Sequence, residues 1–187
     1  MQVRRMDIMA ALATQRLLLR PWKDEDLPLF AVMNDDPDVM AFMPNRLSRE
    51  ESDAIAGRIR NHIDGVGWGL WALEVTGIAP FAGFAGLSVP RFEAHFTPCV
   101  EVGWRLAKTY WGKGYATEAG RAAIDYGFDT LGLSQIVSFT AQGNWRSRAV
   151  MERLGMRHDP RDDFDHPNLD AGHPLRRHVL YRLARSR

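Results

Sequence analysis

Apolar positions recur along this chain with two different periods. In "REESDAIAGRIRNHI", Ile55, Ile59 and Ile63 stand four apart among charged residues, which is the spacing of one helix face. Ser48 and Glu51 just before them have the spacing of a capping box. An earlier helix is expected after Pro21, where "KDEDLPLFAVMND" opens on acidic residues. Shorter apolar runs between glycine or proline punctuation predict strands over residues 14–20, 69–75, 81–89 and 99–106, the last three as an antiparallel meander with short loops. A helix then runs to Leu131 with Gly132 as its stop, residues 135–141 form a strand, and residues 144–154 form a helix stopped by Gly155. After a polar, proline-containing loop over 159–174, "RRHVLYRLAR" supplies the last strand.

The order β-α-α-β-β-β-α-β-α-β predicts an α+β layered sheet rather than a doubly wound one. No internal repeat or low-complexity tract interrupts it. A length of 187 residues, 45% hydrophobic and 25% charged, fits one domain, expected over residues 14–187 behind a loose leader at 1–13. Asp7 breaks the apolar run of that leader, so it is not read as a signal peptide. The net charge of +1 gives no global field to draw in nucleic acid or an anionic membrane, so any anion site must be local. No run of about 18 apolar residues suggests a spanning helix. Cys99 is the only cysteine, which excludes an internal disulfide and suits a reducing cytoplasm.

Local anion chemistry is suggested by "YWGKGYATEAG", residues 110–120. A Walker loop is ruled out because Gly114 is followed by Tyr115 instead of a lysine and hydroxyl pair. A dinucleotide fingerprint from Gly112 and Gly114 would need glycine where Thr117 stands, and would belong on the first strand of a parallel unit. A nucleotide-dependent enzyme is therefore disfavoured. What remains is a glycine-rich turn entering a helix, whose unpaired N–H groups and positive dipole end suit a pyrophosphate, with Lys113 adding charge; the plain alternative is an ordinary strand-to-helix turn. Ala116, Ala119, Gly120, Ala123 and Gly127 give the following helix one small face that can lie close on a sheet.

These segments together resemble the GCN5-related N-acetyltransferases, in the branch similar to the ribosomal-protein alanine and serine acetyltransferases (RimJ/RimL-like). The run from Trp111 through Gly112, Lys113, Gly114 and Tyr115 to Ala116 matches the family's [Q/R]-x-x-G-x-[G/A] loop, with tryptophan at its first position. "TQRLLLRPW", "VEVGWRL" and "NWRSRAVMERLGM" match the other recurrent segments in order. The resemblance implies a three-layer fold with a central, mostly antiparallel mixed sheet that splays between its fourth and fifth strands, flanked by helices. It implies acetyl-CoA as co-substrate in that opening, the pantetheine arm bonding backbone near Trp104 and Leu106, and the pyrophosphate meeting the N–H groups of Gly112, Lys113, Gly114, Tyr115, Ala116 and Thr117. Asn144 and Ser147 match an N-x-x-S element, implying a pantetheine contact and a hydroxyl near the sulfur, although Asn144 is also a good N-cap with Ser147 at N3.

The family's chemistry is direct attack of an amine on a thioester, with a proton to remove and an oxyanion to stabilise. Glu101 is the candidate base: a lone carboxylate in an apolar strand, placed by alternation on one face with Cys99, Gly103 and Arg105. A structural ion pair with Arg105 or another arginine is the competing role. Cys99 reads as a small buried residue, Tyr110 and Tyr115 as further acid candidates or packing residues, and Arg148 as a phosphate contact or a solvated arginine. His158, His166, His173 and His178 are spaced unlike zinc ligands, so no metal is expected. Trp22, Met43, Trp68, Trp71 and the loop around Phe164 are candidates to line the acceptor entrance, or core. The acceptor is expected to be a peptide N-terminus or a small primary amine, and a homodimer is a family-level expectation. A non-catalytic acyl-CoA-binding or interaction module is the alternative function.

Overall fold

The computed structural model describes residues 11–185. The expected leader lies outside the described residues as far as residue 10, and its last part, Leu12–Ala13, forms strand β1. Then follow β2 (Leu17–Arg20), α1 (Asp26–Asp35), α2 (Arg49–Val66), β3 (Leu70–Val75), β4 (Ala79–Ser88) and β5 (Glu101–Leu106). The second half holds α3 (Tyr115–Asp129), β6 (Gln135–Ala141), α4 (Trp145–Arg153), β7 (Arg157–His158), β8 (Phe164–Asp165) and β9 (Arg177–Ala184).

Among the described residues the nine strands make one mixed sheet in the order β1-β2-β3-β4-β5-β6-β9-β7, with β8 against β9. Every neighbouring pair is antiparallel except β5 and β6, which run parallel. Helices cover both faces: Phe30 of α1 lies 6.0 Å from the Phe84 ring of β4, while Gly127 of α3 is close against Leu87 of the same strand. The small face of α3 is what permits that approach, since Ala119, Gly120, Ala123 and Gly127 are all buried. This is the α+β splayed-sheet architecture that the sequence implies.

Buried charge ties the first elements together. Arg20 is only 5% exposed and forks onto both carboxylate oxygens of Asp26 at 2.8 and 2.9 Å, with its Nε donating to Glu74 at 2.9 Å. β2, α1 and β3 are thereby fixed by one arginine with two carboxylates. The capping box of α2 is formed: Glu51 N–H donates to Ser48 Oγ at 3.2 Å and Ser48 N–H to the Glu51 carboxylate at 2.7 Å. Ser48→Ala is expected to lower stability by about 1 kcal/mol; an unchanged urea midpoint would show that the cap contributes nothing.

The meander forms, but its second link is long. Residues 89–100 join β4 to β5, and their Phe92 and Phe96 enter a second core cluster with Val137, Phe139, Phe164 and Leu180. Phe164 stands 4.8 Å from Phe96, so the 159–174 loop is folded down onto the sheet by its aromatic side chain.

Candidate active site

The parallel junction of β5 and β6 is paired at a single register point, Glu101 with Val137, where Val137 N–H donates to the Val100 carbonyl at 2.9 Å. On its other side β5 stays paired with β4 from Ser88–Glu101 to Gly83–Leu106, so it is β6 that diverges. Ala107 N–H bonds the Ala82 carbonyl at 2.9 Å, and by the alternation of an antiparallel ladder the backbone groups of Trp104 and Leu106 point the other way, into the gap. The Leu106 carbonyl is taken by Trp111 Nε1 at 2.8 Å. Among the described residues Trp104 and the Leu106 N–H have no ladder partners on the gap side, and an extended chain adds to a strand at such an edge.

The gap opens into a cleft of about 740 Å³. Trp104, Arg105 and Leu106 form one wall, Gly112, Gly114, Ala116 and Thr117 a second, Asn144, Ser147 and Val150 of α4 a third, and Asp38, Val39, Phe42 and Met43 the segment across it. At the mouth of α3, Gly114 occupies the N-cap position with φ +82°, left-handed backbone that glycine adopts freely, and gives no side-chain cap. Among the described residues the N–H groups of 112–117 donate to nothing; the first bond of the helix is Glu118 N–H to the Gly114 carbonyl at 3.0 Å. Six successive unpaired donors at the positive end of a helix fit a pyrophosphate. One side chain of the loop turns elsewhere: Tyr115 is buried with the Arg16 guanidinium 4.9 Å from its ring centroid, so only its backbone faces a phosphate. The exposed Lys113 places Nζ 5.8 Å from the ring centroid of Tyr110, a residue of the cleft wall.

α4 brings two predicted residues to the cleft. Asn144 caps the helix, its Oδ1 accepting from Ser147 N–H at 3.3 Å while Nδ2 donates to Thr140 Oγ1 at 2.9 Å. The Ser147 hydroxyl lines the cleft and has no hydrogen-bond partner among the described residues. Arg148 lies away from it, stacked 4.1 Å from Trp145 and bonded to the Gln142 carbonyl and Tyr181. The cleft arginines of this helix are instead Arg146, 4.7 Å from the Trp111 ring centroid, and Arg153. Neither stood out in the sequence, where arginines in a polar helix look alike.

Glu101 stands where β5 and β6 part, just beyond the residues that line the cleft. Its carboxyl leans along β5, with Oε1 3.9 Å from where a Cβ at Gly103 would be. Its side chain accepts from Ser88 Oγ at 3.3 Å and makes no ion pair among the described residues. Although the residue is partly reached by solvent, burial of the carboxyl pushes its pKa up to about 8, opposed only by the Ser88 hydroxyl. The competing ion pair with Arg105 is not formed: that guanidinium bonds Asn34 and Met43.

The sequence model of the acetyltransferase (GNAT) domain family matches residues 16–157, a span that includes the cleft, the cradle and Glu101. The chain belongs to the GNAT acetyltransferase family. Membership makes it an acyltransferase, and the relatives agree. The FsC-acetyl coenzyme A-N(2)-transacetylase of Aspergillus fumigatus is 33% identical over 154 residues, 79% of this chain and 65% of that protein. The putative ribosomal N-acetyltransferase YdaF of Bacillus subtilis is 46% identical over 55 residues, 29% of this chain and 30% of its own length. Among solved structures, an acetyltransferase from Agrobacterium tumefaciens is 25% identical with a TM-score of 0.75, covering 99% of both chains.

For a GNAT protein the remaining candidates fall into place as structural parts. Burial raises the Cys99 thiol to about 11, which keeps it protonated and a poor nucleophile. Trp22 and Trp71 are core residues, the first donating to the Leu70 carbonyl at 2.8 Å, and of the predicted entrance residues only Met43 lines the cleft. His158 is bound to Asp163 at 2.7 Å, and His166 and His178 pack beside the second aromatic cluster with ring centroids 5.0 Å apart and planes tilted by 49°. Among the described residues no three histidine, cysteine or acidic side chains gather as a metal site, and no helix is long and apolar enough to cross a membrane.

Proposed function

We propose that this protein is an acetyl-CoA-dependent N-acetyltransferase whose acceptor is a primary amine, either a peptide N-terminus or a small molecule. The observation that carries the reading is the pairing of an opened β5 edge with six unpaired N–H groups at the start of α3, both on one cleft. Acetyl-CoA supplies the activated acyl group, and the chain's residues do the rest. The donors of Gly112 to Thr117 hold the pyrophosphate, the backbone of Trp104 and Leu106 aligns the pantetheine arm, and Asn144 offers its remaining amide N–H to it. Glu101 removes one proton from the acceptor ammonium, directly or through a water. As the nitrogen–carbon bond forms and the carbon–sulfur bond breaks, the second amine proton ends on the sulfur, beside the Ser147 hydroxyl. No metal enters this scheme, a cytoplasmic location suits the acyl donor, and a homodimer is its expected assembly.

The test is free-thiol release from acetyl-CoA across N-terminal peptides, polyamines, aminoglycosides and amino acids, with binding measured by calorimetry. Binding together with release supports the proposal. Tight binding with no release from any amine would favour the non-catalytic module, and no binding at all would sink both readings. A second check separates cradle from fold. Thr117→Asp places a carboxylate in the first turn of α3, which the helix dipole tolerates or favours, yet like-charge repulsion at the pyrophosphate should raise the acetyl-CoA Kd roughly tenfold or more. An unchanged Kd would remove the phosphates from this helix end.

A further inference from the structure

Arg105 leaves β5 in the cleft wall, and its neighbours are neutral. Its Nη1 donates to Asn34 Oδ1 at 2.8 Å, its Nη2 to Met43 Sδ at 3.0 Å, and its guanidinium lies 5.4 Å from the Phe84 ring centroid. The amide that receives it is itself fixed. Asn34 is fully buried, its Nδ2 donates to the buried Ser52 Oγ at 3.1 Å, and its backbone carbonyl accepts from Leu47 N–H at 3.1 Å. A polar relay from α2 through α1 thus holds the planar fork in place, and no acceptor for its other three N–H groups occurs among the described residues.

Among the described residues no counter-charge meets it. Arg20, which is buried, is neutralised by both Asp26 and Glu74, whereas no carboxylate lies within 4.0 Å of the half-buried Arg105 among the described residues. Asp38, the acid on the same cleft, is bound to Lys108. Glu101 begins the same strand four residues earlier, a rise of about 13 Å. A guanidinium stays charged at any ordinary pH, and a desolvated charge without a partner is unfavourable; burial pulls this one down to about 10, still well above neutrality. The phosphates of acetyl-CoA have their own donors at the start of α3, on another wall of the cleft. The remaining source of an anion is the acceptor.

Resting on the N-acetyltransferase reading, we propose that the acceptor is an amine that also carries a carboxylate, and that Arg105 binds this carboxylate through its fork while the amine is presented toward Glu101. Two parallel N–H···O bonds match guanidinium to carboxylate, a geometry an amide cannot reproduce. The arginine then acts as the specificity determinant of the acceptor half of the cleft.

Matched acceptors test this: α-, γ- and ε-amino acids and the dipeptide Ala-Asp, each against its amide, in the thiol-release assay with wild type, Arg105→Gln and Arg105→Lys. Wild type should prefer the acids in kcat/KM by roughly 10- to 100-fold. Arg105→Gln should lose that preference through KM, with the acetyl-CoA Kd unchanged, and Arg105→Lys should restore part of it. Equal use of acid and amide by wild type, or a preference that survives Arg105→Gln, overturns the proposal. So does a variant whose defect is in acetyl-CoA affinity, because the anion would then be a coenzyme phosphate. Calorimetric binding of the N-acetylated acids to CoA-loaded protein gives a readout without turnover. If no amine releases thiol but these acids bind in an Arg105-dependent way, the carboxylate site stands and the catalytic reading falls.

Discussion

Glu101→Gln should lower kcat by roughly 100- to 1000-fold while leaving the acetyl-CoA Kd within about twofold of wild type. The substitution keeps the size of the side chain and one oxygen able to accept from Ser88 Oγ, and it removes the capacity to take a proton. Because burial raises this carboxyl to about 8, it is largely neutral near pH 7 and becomes a base as the pH rises. Wild-type kcat/KM should therefore climb with pH and level off above about 8, and the glutamine variant should lose that limb and keep only the titration of its acceptor amine. Stability moves the other way. A pKa raised from 4.5 in the unfolded chain to about 8 in the fold means the stabilisation linked to this proton is complete below 4.5 and is lost as pH rises through 8. Wild type should then weaken relative to Glu101→Gln across that window in urea titrations followed from pH 4 to 9. Equal turnover in the two proteins with a competent acceptor would end the assignment of Glu101 as base.

Glu101 stands out in the sequence as a candidate base because a single carboxylate in an apolar strand has no ordinary packing role, and alternation gives its face. The same alternation suggested an ion pair with Arg105, and there it misled. Residues four apart in a strand share a face but are separated by about 13 Å, so a common face does not imply contact. The structure sends the two side chains to different partners, Ser88 and Asn34. Asn34 itself gave no signal, since its importance comes from α2 and β5 meeting around it, which no local pattern encodes.

Elsewhere legibility followed length and punctuation. The sequence bounds β6 to the residue and gives the caps of α2 and α4, because Ser48, Glu51 and Asn144 carry their hydrogen-bonding partners within three positions. β1, β7 and β8 leave no pattern in the sequence: two residues cannot show a period, and each exists only because a longer strand offers it an edge. The tryptophans were ambiguous for a related reason. Whether an indole lies in an entrance or a core depends on what its N–H finds, and for Trp22 that is a carbonyl 48 residues away in β3. In α4 the arginines that reach the cleft, Arg146 and Arg153, differ from Arg148 only by helical phase against a neighbour the sequence does not display.

Gly83→Ala should destabilise the protein by about 3–5 kcal/mol, and the damage should reach the cleft as well as the core. Gly83 faces Leu106 across the β4–β5 ladder with φ +139°, a conformation that costs a side-chain-bearing residue free energy before any contact is counted. A Cβ there would lie 2.1 Å from the Arg105 carbonyl oxygen and 2.7 Å from Leu106 Cα. These are backbone atoms of the strand whose far edge is free for the pantetheine arm, so β5 must shift toward the gap that β6 leaves open. Gly103→Ala is the control: it sits on β5 itself, its nearest contact is Glu101 Oε1 at 3.9 Å, and its φ needs no glycine. That variant should unfold within about 0.5 kcal/mol of wild type. If Gly83→Ala unfolds at the wild-type midpoint, the two strands are not held as closely as described. If it is destabilised but binds acetyl-CoA with the wild-type Kd, the outer edge of β5 is not the ruler that positions the donor. A joint loss of stability and affinity, absent from Gly103→Ala, would tie the packing of β4 on β5 to the alignment of the thioester.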